Sequence, residues 1–298
     1  ENMLDSEEYP TSITAIIVIY NTTSEVLNCL DNLKNIPVII VDNGNCDKKI
    51  IKKILKYKNI KKYLKPKKNL GFGRANNFAF KYVKTKYTLI INSDVKINLK
   101  NIQKLSLIIK KYPHTGIAVP SLLDSNLQNN DFLEIIPEKG KGIERNHFEK
   151  EISDKLSKTL ISGDTCINFC WAAIMLIDNE IIRKVGLFDK KYFLYWEDYD
   201  LCRKLSINRI PIIKSTEIRA SHLKSSSVKK SVKNYFIIQL FHVFSSYQYF
   251  KLDKKSNILT KRAYLYFFRF ISYIFILNFK NSLKNLARLY AVLKYKFN

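Results

Sequence analysis

Cysteine is scarce in this sequence, and the five present, Cys29, Cys46, Cys166, Cys170 and Cys202, form no CxxC pair. An odd count without paired spacing argues against a disulfide framework. The four-residue step from Cys166 to Cys170 lacks the second pair that a zinc site needs. A reduced compartment suits such a chain. Acidic residues are few as well: 26 Asp and Glu stand against 51 Lys and Arg, a formal charge of +25 over 298 residues. That imbalance calls for an anionic partner, either a phosphorylated substrate, lipid headgroups or nucleic acid. No nucleic-acid-binding motif is present, so nucleic acid is not expected. No GxxxxGK[ST] occurs, and the pair Gly71 and Gly73 is followed three residues on by Asn76, so the dinucleotide fingerprint is missing too. Long apolar runs are absent. The longest, "YLYFFRFISYIFIL" at 264–277, is short for a membrane span and carries Arg269. The opening residues do not read as a signal peptide.

What is present is a series of short β-rich runs: "ITAIIVIY" (13–20), "PVIIVDNG" (37–44), "YTLIINSD" (87–94) and "GIAVP" (116–120). Helical stretches lie between them, near 24–34, 47–57, 75–84 and 99–111. Buried strands alternating with helices predict a parallel sheet covered on both faces. From about 121 to 160 the chain turns polar and reads as a long loop or irregular hairpin. A strand running into a helix follows in "CWAAIMLIDNEIIRKVGLFD", then a turn into a helix in "YFLYWEDYDLCRKL", then strand in "IPIIKSTEIRASH".

Sheets of this kind bind ligands beyond the carboxyl ends of their strands. Asn21, Asp42, Asn43, Asn92, Ser93 and Asp94 each closely follow an apolar run. Asp94 there suits a hard cation bridging to a diphosphate, or a plain helix cap. The stretch "NLGFGRANN" offers glycines for a close approach and a helix start whose N–H groups suit an anion, or simply a loop opening a helix. "WEDYDLC" crowds Glu197, Asp198 and Asp200 beside aromatic rings. Such carboxylates can have raised pKa values and serve as bases, or they can merely complement a helix N-terminus. His222 in "RASHLKSSS" follows a strand and is either a packing residue or a ligand.

Taken in order, "VIYN", "VIIVDNG", "NLGFGRANN", "IINSD", "AAIMLIDNEIIRKVGLFDKKYFLYWEDYDLCRK" and "SHLKSSS" resemble the family 2 glycosyltransferases of GT-A fold, in their bacterial rhamnosyltransferase-like branch. The resemblance covers roughly Ile13 to Ser227. It implies an α/β nucleotide-diphospho-sugar transferase fold, a Rossmann-like mixed sheet flanked by helices, over 12–227 after a tail at 1–11. It implies an inverting enzyme with Asp198 as catalytic base and Glu197 close to the acceptor. Tyr20, Asn21, Asp42, Asn43, Gly71, Arg74, Asn77, Asn92 and Ser93 would bind the donor, Trp171 and Trp196 the acceptor. Asp94 and His222 would hold Mg²⁺ or Mn²⁺. Asn92-Ser93-Asp94 occupies the place of the family's DxD motif but begins with Asn, which leaves Asp94 as the main carboxylate ligand. The expected donor is dTDP-L-rhamnose, with UDP-hexose or UDP-galactofuranose as alternatives. The expected acceptor is a polyprenyl-diphosphate-linked glycan of O-antigen or capsule synthesis, at the cytoplasmic face of the cell membrane. A non-catalytic basic membrane binder is the reading from another class.

Residues 228–298 lie outside the resemblance. They hold 14 Lys and Arg and one acid, Asp253. Phe236, Leu240, Phe244 and Tyr247 recur at helical spacing, as do Leu286, Tyr290, Leu293 and Phe297. This predicts a basic amphipathic helical extension. Its stripes either pack on the core or dock on an anionic membrane surface.

Overall fold

The computed structural model describes residues 12–22, 24–123, 161–222 and 231–297. The expected tail at 1–11, nearly all of the polar stretch at 121–160 and the serine-rich turn after His222 lie outside these residues. Nine strands form one mixed sheet in the order β3-β2-β1-β4-β8-β6-β9-β5, with β7 also on β9. The strands are β1 (Ile13–Ile19), β2 (Val38–Asp42), β3 (Ile60–Leu64), β4 (Tyr87–Ile91), β5 (Val95–Lys96), β6 (Ile117–Leu123), β7 (Asp164–Ile167), β8 (Ile174–Asp178) and β9 (Ile212–His222). The first four are parallel, as the sequence predicts for β1, β2 and β4. Beyond β4 the sheet is mixed, as the family resemblance implies, because β8 runs antiparallel to both β4 and β6.

Side-chain alternation explains the layers. Along β1, Ile13, Ala15, Ile17 and Ile19 point to one core, which α1 (Glu25–Asn32) and α4 (Leu99–Lys111) complete. Ile16 points to the other, beside Ala75 and Ala79 of α3 (Phe72–Phe80) and Leu201 of α6 (Glu197–Ile207). A strand with both faces covered reads as a near-continuous apolar run, and β2, β4 and β8 are buried throughout. Edge strand β3 is different: its lysines, Lys61 and Lys62, are exposed, a charge placement that discourages further strand pairing. Short helices α2 (Lys48–Ile54) and α5 (Asn179–Val185) complete the flanks.

Three further helices follow: α7 (Val232–Phe250), α8 (Asn257–Phe275) and α9 (Phe279–Phe297). The stripe on α7 packs inward. Leu240 clusters with Ala287 and Ala291 of α9, with Phe236 and Phe244 against it, and Tyr247 is buried with Leu259 and Val292. The small alanines let the helix backbones approach. The stripe on α9 points out, with Tyr290, Leu293 and Phe297 exposed. Among the described residues no helix is long and apolar enough to cross a membrane.

Candidate active site

Three parallel strands end together. Ile19 pairs with Asp42 across β1 and β2, and Ile16 pairs with Ile90 across β1 and β4. The residues just beyond them therefore share one edge of the sheet. Asn21 sits at φ 48, and its Oδ1 accepts from the Asn45 N–H at 2.8 Å. Asp42 is buried at 1 % exposure, and its carboxylate accepts from Tyr63 Oη at 2.8 Å, Lys65 Nζ at 2.6 Å and the Gly44 N–H at 3.2 Å. Burial first, and then the Asp42 carboxylate, push the Tyr63 phenol far above its ordinary range.

Asn43 turns from the strand end to the glycine turn. Its Nδ2 donates to Asn69 Oδ1 at 2.8 Å and to Gly71 O at 3.0 Å, and its Oδ1 accepts from Leu70 N at 2.7 Å. The turn's own N–H groups are engaged too: Gly71 N donates to Asn69 Oδ1 at 2.8 Å and Phe72 N to Phe193 O at 3.2 Å. The N–H groups of Gly71 and Phe72 are thus taken up within the protein. The glycines serve the protein's own backbone. Gly71 has φ 79, and a Cβ there would stand 1.8 Å from Phe193 O. At Gly73 a Cβ would stand 2.8 Å from Phe188 Cβ and 3.4 Å from Glu197 Cβ. Asn77 completes the docking, donating to Phe188 O at 2.7 Å and accepting from Phe188 N at 3.1 Å. Arg74 Nε donates to Lys190 O at 2.6 Å. Helix α3 is thus bolted to the segment that leads into the Glu197–Asp198 pair. The side chains of Asn43 and Asn77, expected on the donor, have their hydrogen bonds made within the protein.

That segment ends in two consecutive left-handed residues, Tyr195 at φ 65 and Trp196 at φ 69. Neither is glycine, and such strain persists only where surrounding contacts enforce it. Here α7 enforces it: Ser245 Oγ donates to Leu194 O at 2.8 Å, and Trp196 Nε1 donates to His242 O at 3.1 Å. Trp196 is buried among Tyr192, Tyr249 and Phe250. It is an interior packing residue, which corrects its expected place on the acceptor surface. Trp171 is the exposed aromatic, at 41 %. It meets Tyr199 edge-on at 5.8 Å, while Phe169 stacks on Tyr199 at 4.1 Å.

The three carboxylates of α6 have different fates. Asp200 is buried and held by Arg203 Nη2 at 2.8 Å, Lys191 Nζ at 3.2 Å and Tyr192 Oη at 3.2 Å. Asp198 is half-buried, and its Oδ1 accepts from Tyr199 N at 2.9 Å. Glu197 is buried, and its Oε2 has no hydrogen-bond partner among the described residues. Burial, and secondarily the Asp198 charge, push its carboxyl up to about 8. Because the folded value lies above the unfolded one, folding favours the proton. The contribution of this group to stability is fully present below about pH 4.5, falls as pH rises, and is lost above about 8. Glu197→Gln removes this dependence. The variant is expected to gain on wild type between pH 5 and 8, by on the order of a few kcal/mol at most. Urea unfolding across that range checks it; parallel curves would place the Glu197 carboxyl in water.

At the end of β4, Asn92 N donates to Ala173 O at 2.8 Å, two residues from Trp171. Ser93 and Asp94 are buried. Strand β5 pairs Val95 with His222, which brings His222 Nε2 to 3.4 Å from Asp94 Oδ1. That oxygen has no hydrogen-bond partner among the described residues. No cluster of three or more His, Cys, Asp or Glu suited to a metal occurs among the described residues. Tyr63, Lys65, Phe193 and Ser245 are absent from the residues expected from sequence. Their roles depend on contacts with distant segments, which no local pattern records.

Comparison with known proteins places these features. The family profile described as Glycosyl transferase family 2 matches residues 14–173. Rhamnosyltransferase WbbL of Escherichia coli (strain K12) is 31 % identical over 154 residues, covering 46 % of this chain and 54 % of the relative. The chain thus spans about half the length of that curated relative. Among solved structures, GalNAc-T7 with UDP, GalNAc and Mn²⁺ superposes with a TM-score of 0.56 at 13 % identity, over 78 % of this chain and 48 % of that one. The S. aureus TarS 1–349 complex with UDP-GlcNAc gives 0.53 at 14 %, over 78 % and 66 %. Mannosyltransferase PcManGT from Pyrobaculum calidifontis, with GDP-Man and Mn²⁺, gives 0.52 at 10 %, over 97 % and 74 %. The shared architecture is the GT-A fold expected from the sequence.

Proposed function

The chain belongs to glycosyl transferase family 2, and on that premise we propose that it transfers a sugar from a nucleotide-diphospho-sugar to a hydroxyl, with inversion. The observation that carries this reading is the seating of the Glu197–Asp198 pair. It sits on a strained turn, against the glycine turn that Asn43 ties to the strand ends. A donor lying along those ends therefore lies beside two carboxylates, one of them a poor ion at neutral pH.

Asp198 is the base. A sugar hydroxyl is a weak nucleophile, and a positioned carboxylate takes its proton as the oxygen attacks the anomeric carbon. Glu197, held protonated by burial, keeps the pair from carrying two charges and can donate a hydrogen bond to the acceptor. Trp171 offers the exposed ring on which the acceptor sugar stacks. Asp42, with Lys65 and Tyr63, orients the nucleotide end. Asp94 and His222 fit a divalent cation, since Asp94 Oδ1, which has no hydrogen-bond partner among the described residues, and the imidazole 3.4 Å from it are hard and borderline donors. These two residues would hold Mg²⁺ or Mn²⁺, which when bound would supply positive charge to offset that of a departing diphosphate.

The donor favoured is dTDP-L-rhamnose, because the curated relative is a rhamnosyltransferase. The acceptor favoured is a polyprenyl-diphosphate-linked glycan at the cytoplasmic membrane face, in the synthesis of a surface polysaccharide, because the C-terminal region carries a large cationic excess. A thermal-shift series with dTDP-, UDP- and GDP-sugars, with and without Mn²⁺, tests the reading. The cognate donor at 100 times its Kd is expected to stabilise the fold by about 2.7 kcal/mol. Asp94→Asn is expected to abolish the Mn²⁺-dependent part of that shift. Absence of a shift with every sugar nucleotide would overturn the reading.

A further inference from the structure

We propose that the hairpin of α8 and α9 is a membrane wedge: its apolar tip, Phe275, Ile276, Leu277 and Phe279, inserts among the headgroups of an anionic bilayer. The inference builds on the lipid-linked acceptor proposed above, and it assigns the contact to a surface outside the catalytic site. Phe275 is 81 % exposed, Leu277 73 %, and Ile276 and Phe279 66 % each. Four large apolar side chains in five residues is not the scatter of single hydrophobics that a soluble surface normally carries. The ridge continues along the outer face of α8 through Tyr264, Leu265, Phe267 and Phe268, all exposed. The inner side of the hairpin is already used, since Leu259 and Val292 are buried against Tyr247.

The turn itself favours the same conclusion. Leu277 adopts φ 53, and Asn278 N donates to Tyr273 O at 2.8 Å. This is a helix-ending position at which glycine is the usual occupant. A leucine there costs backbone strain and places an apolar side chain at the tip.

Charge selects the occupant. From Lys254 to the end the chain has ten Lys and Arg and no Asp or Glu. Lys280, Lys284 and Arg288 stand one helical turn apart on α9. Burial first, and then the charges of Arg288 and Lys280, pull the Lys284 ammonium below its ordinary value. Arg288 lies over the Tyr266 ring at 5.9 Å, and its Nε has no hydrogen-bond partner among the described residues. A second copy of this chain would bring the same cations against this rim and be repelled. An apolar ridge beside unneutralised cations matches the boundary between acyl chains and anionic headgroups. The exposed ridge runs along α8 to the tip, so α8 lies in the plane of the interface.

Flotation of the full chain with phosphatidylglycerol-containing vesicles and with pure phosphatidylcholine vesicles tests the wedge. Binding is expected to the anionic vesicles and to fall steeply with added salt. The triple variant F275S/I276S/L277S is expected to weaken binding at least about tenfold, because buried apolar area sets the strength of such anchoring. These side chains are exposed, so its thermal unfolding should match wild type. A second variant, K280E/K284E, is expected to lose the preference for anionic lipid. Wild-type flotation by the triple variant would overturn the proposal. So would a wild-type dimer in solution that the triple variant dissolves without any vesicle binding. Transfer to a water-soluble acceptor reports on the catalytic reading separately: a failed wedge leaves that transfer intact, and failed catalysis leaves flotation intact.

Discussion

Asp198→Asn is expected to lower sugar transfer by about 10²–10⁴-fold, the contribution of a placed general base. Donor affinity should be unchanged. The structure makes this a clean substitution. Asp198 Oδ1 accepts from Tyr199 N in the first turn of α6, and an asparagine oxygen can accept that bond equally well. Asn cannot take the hydroxyl proton. The loss should therefore fall on kcat, with nucleotide titration and thermal unfolding close to wild type. Substitution of Asp200 should behave otherwise, because its partners Arg203, Lys191 and Tyr192 are all structural. Asp200→Asn is expected to lower stability as well as turnover. Near-normal kcat in Asp198→Asn would remove this residue from the chemistry.

Gly71→Ala is expected to cost about 2–5 kcal/mol of stability, the sum of a backbone conformation open essentially to glycine alone and an overpacked contact. The residue stands at φ 79 and ψ −180, and a Cβ would press to 1.8 Å from the Phe193 carbonyl oxygen. Relief requires α3 to lift from the segment that leads into Tyr195 and Trp196. The carboxylate pair would move with it, so transfer should fall by more than the folded fraction explains. Gly186→Ala is the control. Gly186 also has positive φ, at 78, but nothing lies within 4 Å of an added Cβ. At ψ 145 it shares the extended positive-φ region of Gly71, so it is expected to cost about 1–3 kcal/mol, the backbone strain alone. Urea midpoints with initial rates for both variants decide the matter. Equal costs would mean that the close approach of Gly71 to Phe193 carries no energy.

Much of this molecule is legible in its sequence, for reasons that also explain what is hidden. Strands β1, β2 and β4 are continuous β-branched runs because both of their faces are covered. The polar residues that follow them mark the site edge for the same reason. Strand β3 is obscured because an edge strand tolerates lysine at Lys61 and Lys62. The antiparallel course of β8 is invisible, since a buried strand reads alike in either direction. In the C-terminal region, spacing identifies α7 and α9 but not which stripe faces inward. That is settled by the alanines at 287 and 291, which admit Leu240. The run at 264–277 is the second half of helix α8 and the turn after it, whose outward aromatics a span-length criterion passes over.

At the site the sequence identifies residue types but not their partners. Asn43, Asn77 and Trp196 all stand in the expected motifs. Each has its polar atoms satisfied by backbone far along the chain: Gly71, Phe188 and His242 respectively. The glycine turn is the clearest case. Its composition suits an approaching phosphate, yet the group that approaches is Phe193 O. Asp94 and His222 stand far apart in the chain and meet because β5 pairs with the last residues of β9. Nothing local in either segment records that pairing.

The central claim is that the donor lies along the strand ends with its anomeric carbon facing residue 198. A crystal structure of Asp198→Asn with dTDP-L-rhamnose and Mn²⁺ tests it most directly. The expected result is a metal held by Asp94 and His222, the diphosphate upon it, and the substituted amide at position 198 beside the open face of the anomeric carbon. A nucleotide bound elsewhere, or residue 198 turned away from the sugar, would contradict it.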